Sequence, residues 1–363
     1  MNKQTFFTPG PAALYPTVAQ HIQSALDKQI PSISHRSKVF QDIYKQTYHN
    51  IRTIFKLPDD YAVLFTGSAT EVWERMLQNC VETESFHLVN GAFSKRFADF
   101  AQLMGKTAHL HEVPFGEGFD MAKVDIPSTA EMICVAHNET SAGVSTPVDD
   151  IHALKDQHPD KLLVVDMVSS APLPLLDFNK IDAAYFSVQK AFGMPAGLGV
   201  WLVNKRCLDK AKKLEAKGQA TGAHYRLVNL WKSFEKFQTP PTPNVLGIYL
   251  LGKVSEDMLN QGIDQIRHET EVKANLLYNA LSNPTIFKGF SPFVANHQHR
   301  SASVIVANTP GSAAEFIAKV GQHHMTIGSG YGKYKDAQIR IANFPATSVA
   351  QIEQLIETMT QCL

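Results

Sequence analysis

The sequence has few cysteines, and their spacing gives no sign of a metal site or a disulfide framework. Its 363 residues contain only Cys80, Cys134, Cys207 and Cys362, and no two of them form a CxxC pair. Free thiols are typical of a reducing compartment, so we expect a cytoplasmic location. The 15 histidines occur without an HExxH motif, and we therefore expect no bound metal ion.

An excess of charge and long apolar runs are also absent. Lysine and arginine number 34, as do aspartate and glutamate, so we expect neither nucleic acid nor anionic lipid as a partner. The longest apolar candidate, residues 162–168, is interrupted by Asp166, whereas a membrane-spanning helix needs about 20 apolar residues. Prolines occur early in MNKQTFFTPGPAALYP, so we expect no signal sequence and no secretion. The 44% of apolar residues predicts a globular protein with a large core.

Three common motifs of enzymes are missing. No GxGxxG follows a predicted strand and no GxSxG is present, which excludes the usual signatures of nicotinamide dehydrogenases and serine hydrolases. Residues 247–253 match the start of a P-loop, but Val254 occupies the position of the Ser or Thr that binds magnesium. We expect this segment to be the interior of a helix.

Short apolar segments rich in Val, Ile, Phe and Tyr recur along the first two thirds of the chain. Such segments, apolar on both faces and separated by connections of helix length, are typical of a mainly parallel sheet between helices. The predicted strands are residues 61–65, 85–90, 131–137, 161–166, 182–187 and 198–203. The sequence therefore predicts an α/β fold.

The pattern changes after the proline-rich segment at residues 238–244. Beyond it the sequence predicts helices at 244–260 and 263–282, strands at 302–308 and 338–343, and helices that begin at Ser312 and near Ser348. We expect a large domain of residues 16–256 and a smaller C-terminal α/β domain of residues 257–363, completed by residues 1–15.

Three polar features lie at the ends of predicted strands, where an open parallel sheet binds its ligands. The turn at residues 66–70, TGSAT, leads into a helix whose N-terminus suits a phosphate. Asp166 ends one strand, and Lys190 follows the next between apolar neighbours, where desolvation would make its amine nucleophilic. Pyridoxal 5′-phosphate (PLP) needs this combination, because it has a phosphate, a ring nitrogen that an acid keeps protonated and an aldehyde that reacts with lysine.

The sequence resembles the class V, fold-type I aminotransferases over nearly its whole length. The matching stretches are TPGPAALYP (8–16), SHRSKVF (34–40), FTGSATE (65–71), NGAFSKRF (90–97), HNETSAGV (137–144), VVDMVSS (164–170), SVQKAFG (187–193), QTPPT (238–242) and GYGKYKDAQIRIANFPA (330–346). The resemblance implies the PLP-dependent fold type I, with a large sheet domain and a smaller C-terminal domain.

The resemblance also implies roles for individual residues. Lys190 would link covalently to the cofactor and Asp166 would pair with its ring nitrogen. Further cofactor contacts would come from Ser68, Ala69, Thr70, Phe93, Thr140, Gln189 and Thr239. The substrate would be bound by His35, Arg36 and Arg340, the last of which takes its carboxylate. Since Thr239 matches a residue that reaches the phosphate in the opposite subunit, we expect a homodimer with shared sites.

The implied reaction is ping-pong transamination, with Lys190 as the base. Cysteine desulfuration, another class V reaction, is set aside because no cysteine lies between Cys207 and Cys362 and because Gln189 replaces the histidine of desulfurases. A noncatalytic binding module is the alternative from another functional class. The joint presence of Lys190, Asp166 and Arg340 argues against it.

The substrate prediction has two competing forms. QTPPT, PGPAALYP and the His35–Arg36 pair resemble phosphoserine enzymes, which predicts phosphoserine as donor and 2-oxoglutarate as acceptor. HNETSAG and GYGKYKDAQIRI resemble alanine-glyoxylate and serine-pyruvate enzymes equally, so serine or alanine with glyoxylate or pyruvate is the alternative. Thr70 occupies a position where many phosphoserine enzymes have an arginine.

Overall fold

The computed structural model describes residues 4–363. The helices of this range are α1 (Val18–Asp27), α2 (Lys38–Phe55), α3 (Ala69–Cys80), α4 (Ala92–Leu103), α5 (Val148–Gln157), α6 (Lys205–Ala216), α7 (Leu227–Phe234), α8 (Val245–Gln261), α9 (Ile263–Ser282), α10 (Ala313–Gln322) and α11 (Val349–Gln361). Its strands are β1 (Thr5–Phe7), β2 (Tyr61–Thr66), β3 (Glu84–Val89), β4 (Thr107–Glu112), β5 (Met132–Ala136), β6 (Asn138–Glu139), β7 (Val144–Ser145), β8 (Leu162–Asp166), β9 (Ala183–Ser187), β10 (Gly199–Asn204), β11 (Ser291–Pro292), β12 (Val304–Asn308), β13 (Met325–Ser329) and β14 (Gln338–Ala342).

The larger sheet has seven strands in the order β2-β10-β9-β8-β5-β3-β4. β10 is antiparallel to both neighbours, and the other pairs are parallel. Helices cover both faces: Ile51 of α2 and Ile248 of α8 belong to one core, whereas Trp73 of α3 and Phe97 of α4 belong to the other. The expected α/β fold, with a mainly parallel sheet between helices, is confirmed.

Two connections in this sheet differ from the prediction, because they contain no α-helix. They are residues 167–182, between β8 and β9, and residues 188–198, between β9 and β10. The second connection turns back at Gly193, which has φ +57° and packs so closely on the chain that a Cβ there would lie 2.6 Å from the backbone N of Tyr15. This reversal makes β10 antiparallel and leaves Lys190 on a loop at the edge of the sheet.

A second sheet, in the order β1-β13-β14-β12-β11, has a separate core. The N-terminal strand β1 pairs with β13 in this sheet, so the first residues return to the C-terminal part of the chain. Helix α9 connects the two cores, since Ile266 packs in the first and Leu277 in the second. The separate cores support two domains, and the division at residues 256/257, which falls inside α8, stays a proposal.

The helices and strands predicted for the C-terminal part are present, and β11 and β13, which were not predicted, lie there as well. Helices α8 and α9 cover the two predicted long helices, and the P-loop-like residues 247–253 lie inside α8. Strands β12 and β14 and helices α10 and α11 also lie where they were expected. Within residues 4–363, no helix combines the length and the apolar character needed to cross a membrane.

Candidate active site

Most of the predicted cofactor residues line one cavity of about 260 Å³ at the carboxyl edge of the larger sheet. The strands β2, β8 and β9 end there, and the loops that follow them supply the polar groups. The predicted residues in its wall are Ser68, Ala69, Thr70, Phe93, Thr140, Asp166, Gln189 and Lys190. The structure therefore brings together, in space, side chains that are far apart in the sequence.

The N-terminus of α3 forms one end of this cavity. Ser68 is the N-cap, and its Oγ accepts a hydrogen bond of 3.3 Å from the backbone N of Glu71. The N–H of Ala69 donates to Ser187 Oγ at 2.9 Å, which ties the helix to the end of β9. Because the start of a helix carries a partial positive charge, this end can bind an anion.

Asp166 lies buried at the end of β8. Its Oδ1 accepts a hydrogen bond of 2.8 Å from the backbone N–H of Val168. Burial raises the pKa of the Asp166 carboxyl to about 7, although the nearby Lys190 acts in the opposite direction. The carboxyl is therefore poised to become fully ionised when a positive group approaches it.

Lys190 lies on the loop after β9, and its Nζ donates a hydrogen bond to the backbone O of Pro9. Burial, helped by the positive charge of Arg340, lowers the pKa of the Lys190 ammonium to about 8. Gly10, at φ +145°, is packed against this side chain, since a Cβ there would lie 2.5 Å from Lys190 Nζ. A lowered pKa gives Lys190 a larger share of the neutral, nucleophilic amine near neutral pH.

Phe93 lies in the first turn of α4, and its position depends on a buried residue that the sequence analysis did not select. Glu139 accepts hydrogen bonds from the backbone N–H groups of Phe93, at 3.2 Å, and Ser94, at 2.9 Å. It also accepts one of 2.6 Å from Ser141 Oγ. The Phe93 ring meets Tyr331 at 5.4 Å between centroids. The sequence signal for Glu139 is a carboxylate three residues after the end of the buried strand β5.

Arg340 approaches the cavity from β14 of the second sheet. Its Nε donates to the backbone O of Ser329 at 2.8 Å, and its Nη1 donates to the backbone O of Thr140 at 3.4 Å. The guanidinium also lies 5.4 Å from the centroid of the Tyr331 ring. Among residues 4–363, none accepts a hydrogen bond from Arg340 Nη2. This part of the guanidinium is therefore available to bind a carboxylate.

The other predicted residues, His35, Arg36 and Thr239, form a second group outside this cavity. Arg36 donates hydrogen bonds of 2.8 Å to the backbone O atoms of Thr239 and Pro240. Thr239 lines a different cavity, whose wall also includes Thr66 and Gly67 from the turn before α3. Within one chain, therefore, the structure joins Arg36 to Thr239 but does not bring either to Lys190.

The cavity around Lys190 fits PLP by its donors and acceptors. It offers a helix N-terminus, a buried carboxyl and a buried amine, and the cofactor has a group that matches each. Asn138 provides a further observation, because its Oδ1 is buried in the cavity wall without a hydrogen-bond partner in residues 4–363. A ligand with a hydrogen-bond donor would satisfy this atom.

Comparisons with known proteins agree with this geometry. The family model for class-V aminotransferases matches residues 5–331. A solved phosphoserine aminotransferase from Cytophaga hutchinsonii is 48% identical, with a TM-score of 0.97 and 99% of each chain covered. A curated phosphoserine aminotransferase from Nocardioides sp. is 28% identical over 93% of this chain and 89% of its own length. An alanine-glyoxylate aminotransferase from Nostoc sp., 19% identical over 100% of this chain and 96% of its own, shares the fold with a TM-score of 0.79.

The family match spans the whole larger sheet and every residue of the cavity, and it ends before β14. The chain belongs to the class-V aminotransferases, a family of pyridoxal phosphate-dependent enzymes.

Proposed function

We propose that the chain transfers the amino group of phosphoserine to 2-oxoglutarate, with PLP bound in the cavity around Lys190. The observation that carries this proposal is the placement of Lys190 and Asp166 in one buried cavity, at the ends of neighbouring strands and beside the N-terminus of α3. The 48% identical Cytophaga hutchinsonii protein, which is named as a phosphoserine aminotransferase, supports the choice of substrate.

Bound PLP would supply an aldehyde for the donor amine and a ring that withdraws electrons from the substrate α-carbon. The N-terminus of α3, with Ser68, Ala69 and Thr70, would hold the phosphate. Asp166 would hold a positive charge at the ring nitrogen. Lys190, whose amine is partly neutral near pH 8, would take the proton from the α-carbon and return it.

Arg340 would fix the carboxylate of the substrate, because its free Nη2 faces no other acceptor in the described residues. Arg36 would add positive charge near the substrate's phosphate if the site includes residues of a second subunit. Burial and Arg36 lower the pKa of His35, so His35 would add a hydrogen-bond donor there. Phe93 would lie against the ring, Thr140 and Gln189 would complete the cofactor contacts, and Thr239 would reach the phosphate of the opposite subunit.

Serine or alanine with glyoxylate or pyruvate is the second candidate. The observation that favours it is Thr70 in the first turn of α3, a residue without the positive charge that a phosphorylated substrate would use. The two candidates share the cofactor chemistry and differ in the charge of the donor.

The proposed homodimer is supported by large apolar side chains that lie exposed on segments near the candidate site. Leu14, in the loop before α1, is 51% exposed, and Val39, at the start of α2, is 52% exposed. A second subunit that covered them would remove apolar area from water. The proposed cytoplasmic location rests on the four cysteines, all of which are free thiols.

The capture of PLP by the cofactor-free protein should depend on pH through Lys190. Its amine attacks only when neutral, and burial lowers its pKa to about 8; the rate constant of capture should therefore rise with pH and level off above about pH 8. Stopped-flow absorbance measures this rate. In Lys190→Ala no covalent adduct should be trapped by borohydride, and mass spectrometry that located the adduct on a different lysine would refute the assignment.

Gly10→Ala should slow covalent capture of PLP by about tenfold or more, because the new Cβ would lie 2.5 Å from Lys190 Nζ. Gly218→Ala is the matched control, since Gly218 also has a positive φ, +77°, but no atom lies within 4 Å of the added carbon. Both variants should lose some stability, whereas only Gly10→Ala should capture PLP more slowly. Equal capture rates in the two variants would contradict the close packing of Gly10 on Lys190.

Light scattering should give the mass of a dimer. Activity should also return when subunits with different substitutions are combined in one dimer. Thr239→Ala should weaken PLP binding by about tenfold through the loss of a phosphate contact, while Lys190→Ala abolishes transamination. A mixed dimer of the two variants should contain one site with both residues intact and regain activity. A fully active monomer, or no regain after mixing under conditions that exchange subunits, would refute shared sites.

Single-turnover rates with phosphoserine, serine and alanine should decide the donor, and phosphoserine should be fastest at equal concentration. A charge-assisted contact to phosphate contributes about 1.5–3 kcal/mol, so Arg36→Ala should reduce the preference by tenfold or more. Lys38→Ala removes a charge from the same segment at an exposed side chain and serves as the control. If serine or alanine reacts faster and Arg36→Ala leaves the order unchanged, the second candidate replaces the first.

A further inference from the structure

Asp166 lies beside a buried tyrosine that has no place in the function proposed above. Asp166 of β8 and Tyr185 of β9 are paired in the register of these parallel strands, so both side chains point to the same face of the sheet. Tyr185 is 0% exposed, and it lines the same small cavity as Asp166. A buried phenol therefore lies beside the acid assigned to the cofactor's ring nitrogen.

A third residue, Trp73 of α3, determines how the Tyr185 hydroxyl can donate. The indole Nε1 of Trp73 lies 2.6 Å from Tyr185 Oη in a buried contact. An indole N–H can only donate, so the tyrosine oxygen accepts, and its single proton is left for another acceptor. The carboxyl of Asp166, on the same face of the sheet and in the wall of the same cavity, is placed to be that acceptor.

We propose that Tyr185 donates a hydrogen bond to the Asp166 carboxylate, so that Trp73, Tyr185 and Asp166 form a hydrogen-bond chain. Trp73 and Tyr185 are then positioning residues that orient this carboxylate and strengthen cofactor binding. This inference rests on the proposed function, in which Asp166 pairs with the ring nitrogen of PLP. Donors to a carboxylate stabilise the charged form relative to the protonated form. Together with the N–H of Val168, Tyr185 offsets part of the cost of burying this charge.

The other groups around Asp166 do not replace this donor. The titratable and charged residues that face it are His87, Cys134, Glu139, Tyr185 and Lys190. Burial lowers the pKa of His87 to about 3 and raises that of the Cys134 thiol, so both are neutral near pH 7. Glu139 repels a second negative charge, and Lys190 attracts it. Burial also raises the pKa of Tyr185, which keeps its hydroxyl a proton donor across the usual pH range.

The test measures binding of pyridoxamine 5′-phosphate to the cofactor-free protein by isothermal titration calorimetry across pH. This ligand has an amine in place of the aldehyde, so its binding does not depend on attack by Lys190. In wild type the affinity should rise with pH through about 7, the pKa of Asp166. Tyr185→Phe should bind about tenfold more weakly at pH 7 and should show this rise at a higher pH, because the carboxylate has lost a donor.

Tyr61→Phe is the matched control, because Tyr61 is also buried and its hydroxyl contacts backbone O atoms, those of Ile181 and Phe178, rather than Asp166. It should keep the wild-type affinity and pH profile. Trp73→Phe removes the first donor of the hydrogen-bond chain. It should also weaken the binding of pyridoxamine 5′-phosphate, by a smaller factor than Tyr185→Phe. This variant also keeps the proposal testable if Tyr185→Phe does not fold.

Asp166→Asn separates the inference from the proposed function. If Tyr185 acts through Asp166, then adding Tyr185→Phe to Asp166→Asn should cause no further loss of affinity. The hydrogen-bond chain is refuted if Tyr185→Phe lowers the affinity as much in the Asp166→Asn protein as in wild type. It is also refuted if Tyr185→Phe alone keeps the wild-type affinity and pH profile. Wild-type affinity in Asp166→Asn alone would instead refute the role of Asp166, and with it the proposed cofactor site.

Discussion

The cavity depends on the burial of two groups of opposite charge, Asp166 and Lys190, at adjacent ends of one sheet. Burial disfavours the charged form of each, and so it raises the pKa of the acid and lowers that of the amine. Both groups therefore titrate near neutral pH, where a small change in their surroundings changes their charge. Asp166 ends β8 and Lys190 follows β9, and both of these strands are buried on both faces.

The second sheet also contributes to the surroundings of Lys190. Arg340 comes from β14, and the carbonyl of Pro9 that accepts from Lys190 follows β1, which pairs with β13. Two contacts of the cavity are thus made by the smaller sheet, although its core is separate. A movement of that sheet would change the surroundings of Lys190 and the position of Arg340 together.

Sequence patterns predict this fold well where one segment carries its own signal. Lys190 and Asp166 follow strands that are apolar on both faces, and the positions of these residues at strand ends could be predicted. The edge strand β4, TAHLHE, was not predicted, because it lacks the continuous apolar run that marks the inner strands. The direction of β10 was not predicted either. Contacts between distant segments, such as Glu139 with the first turn of α4 or Arg36 with residues 239–240, have no local signal.

Glu139 has a consequence for the orientation of an anion in the cavity. Helices α3 and α4 both begin at the same edge of the larger sheet, and each helix start carries a partial positive charge. Glu139 occupies the start of α4 with its own carboxylate, so the attraction there is already neutralised from within the protein. The start of α3 faces the cavity through Ser68, Ala69 and Thr70, and the acid in its first turn, Glu71, forms an ion pair with Arg75. An entering dianion therefore meets an electrostatic asymmetry that favours the start of α3 over that of α4, and with it one direction of binding.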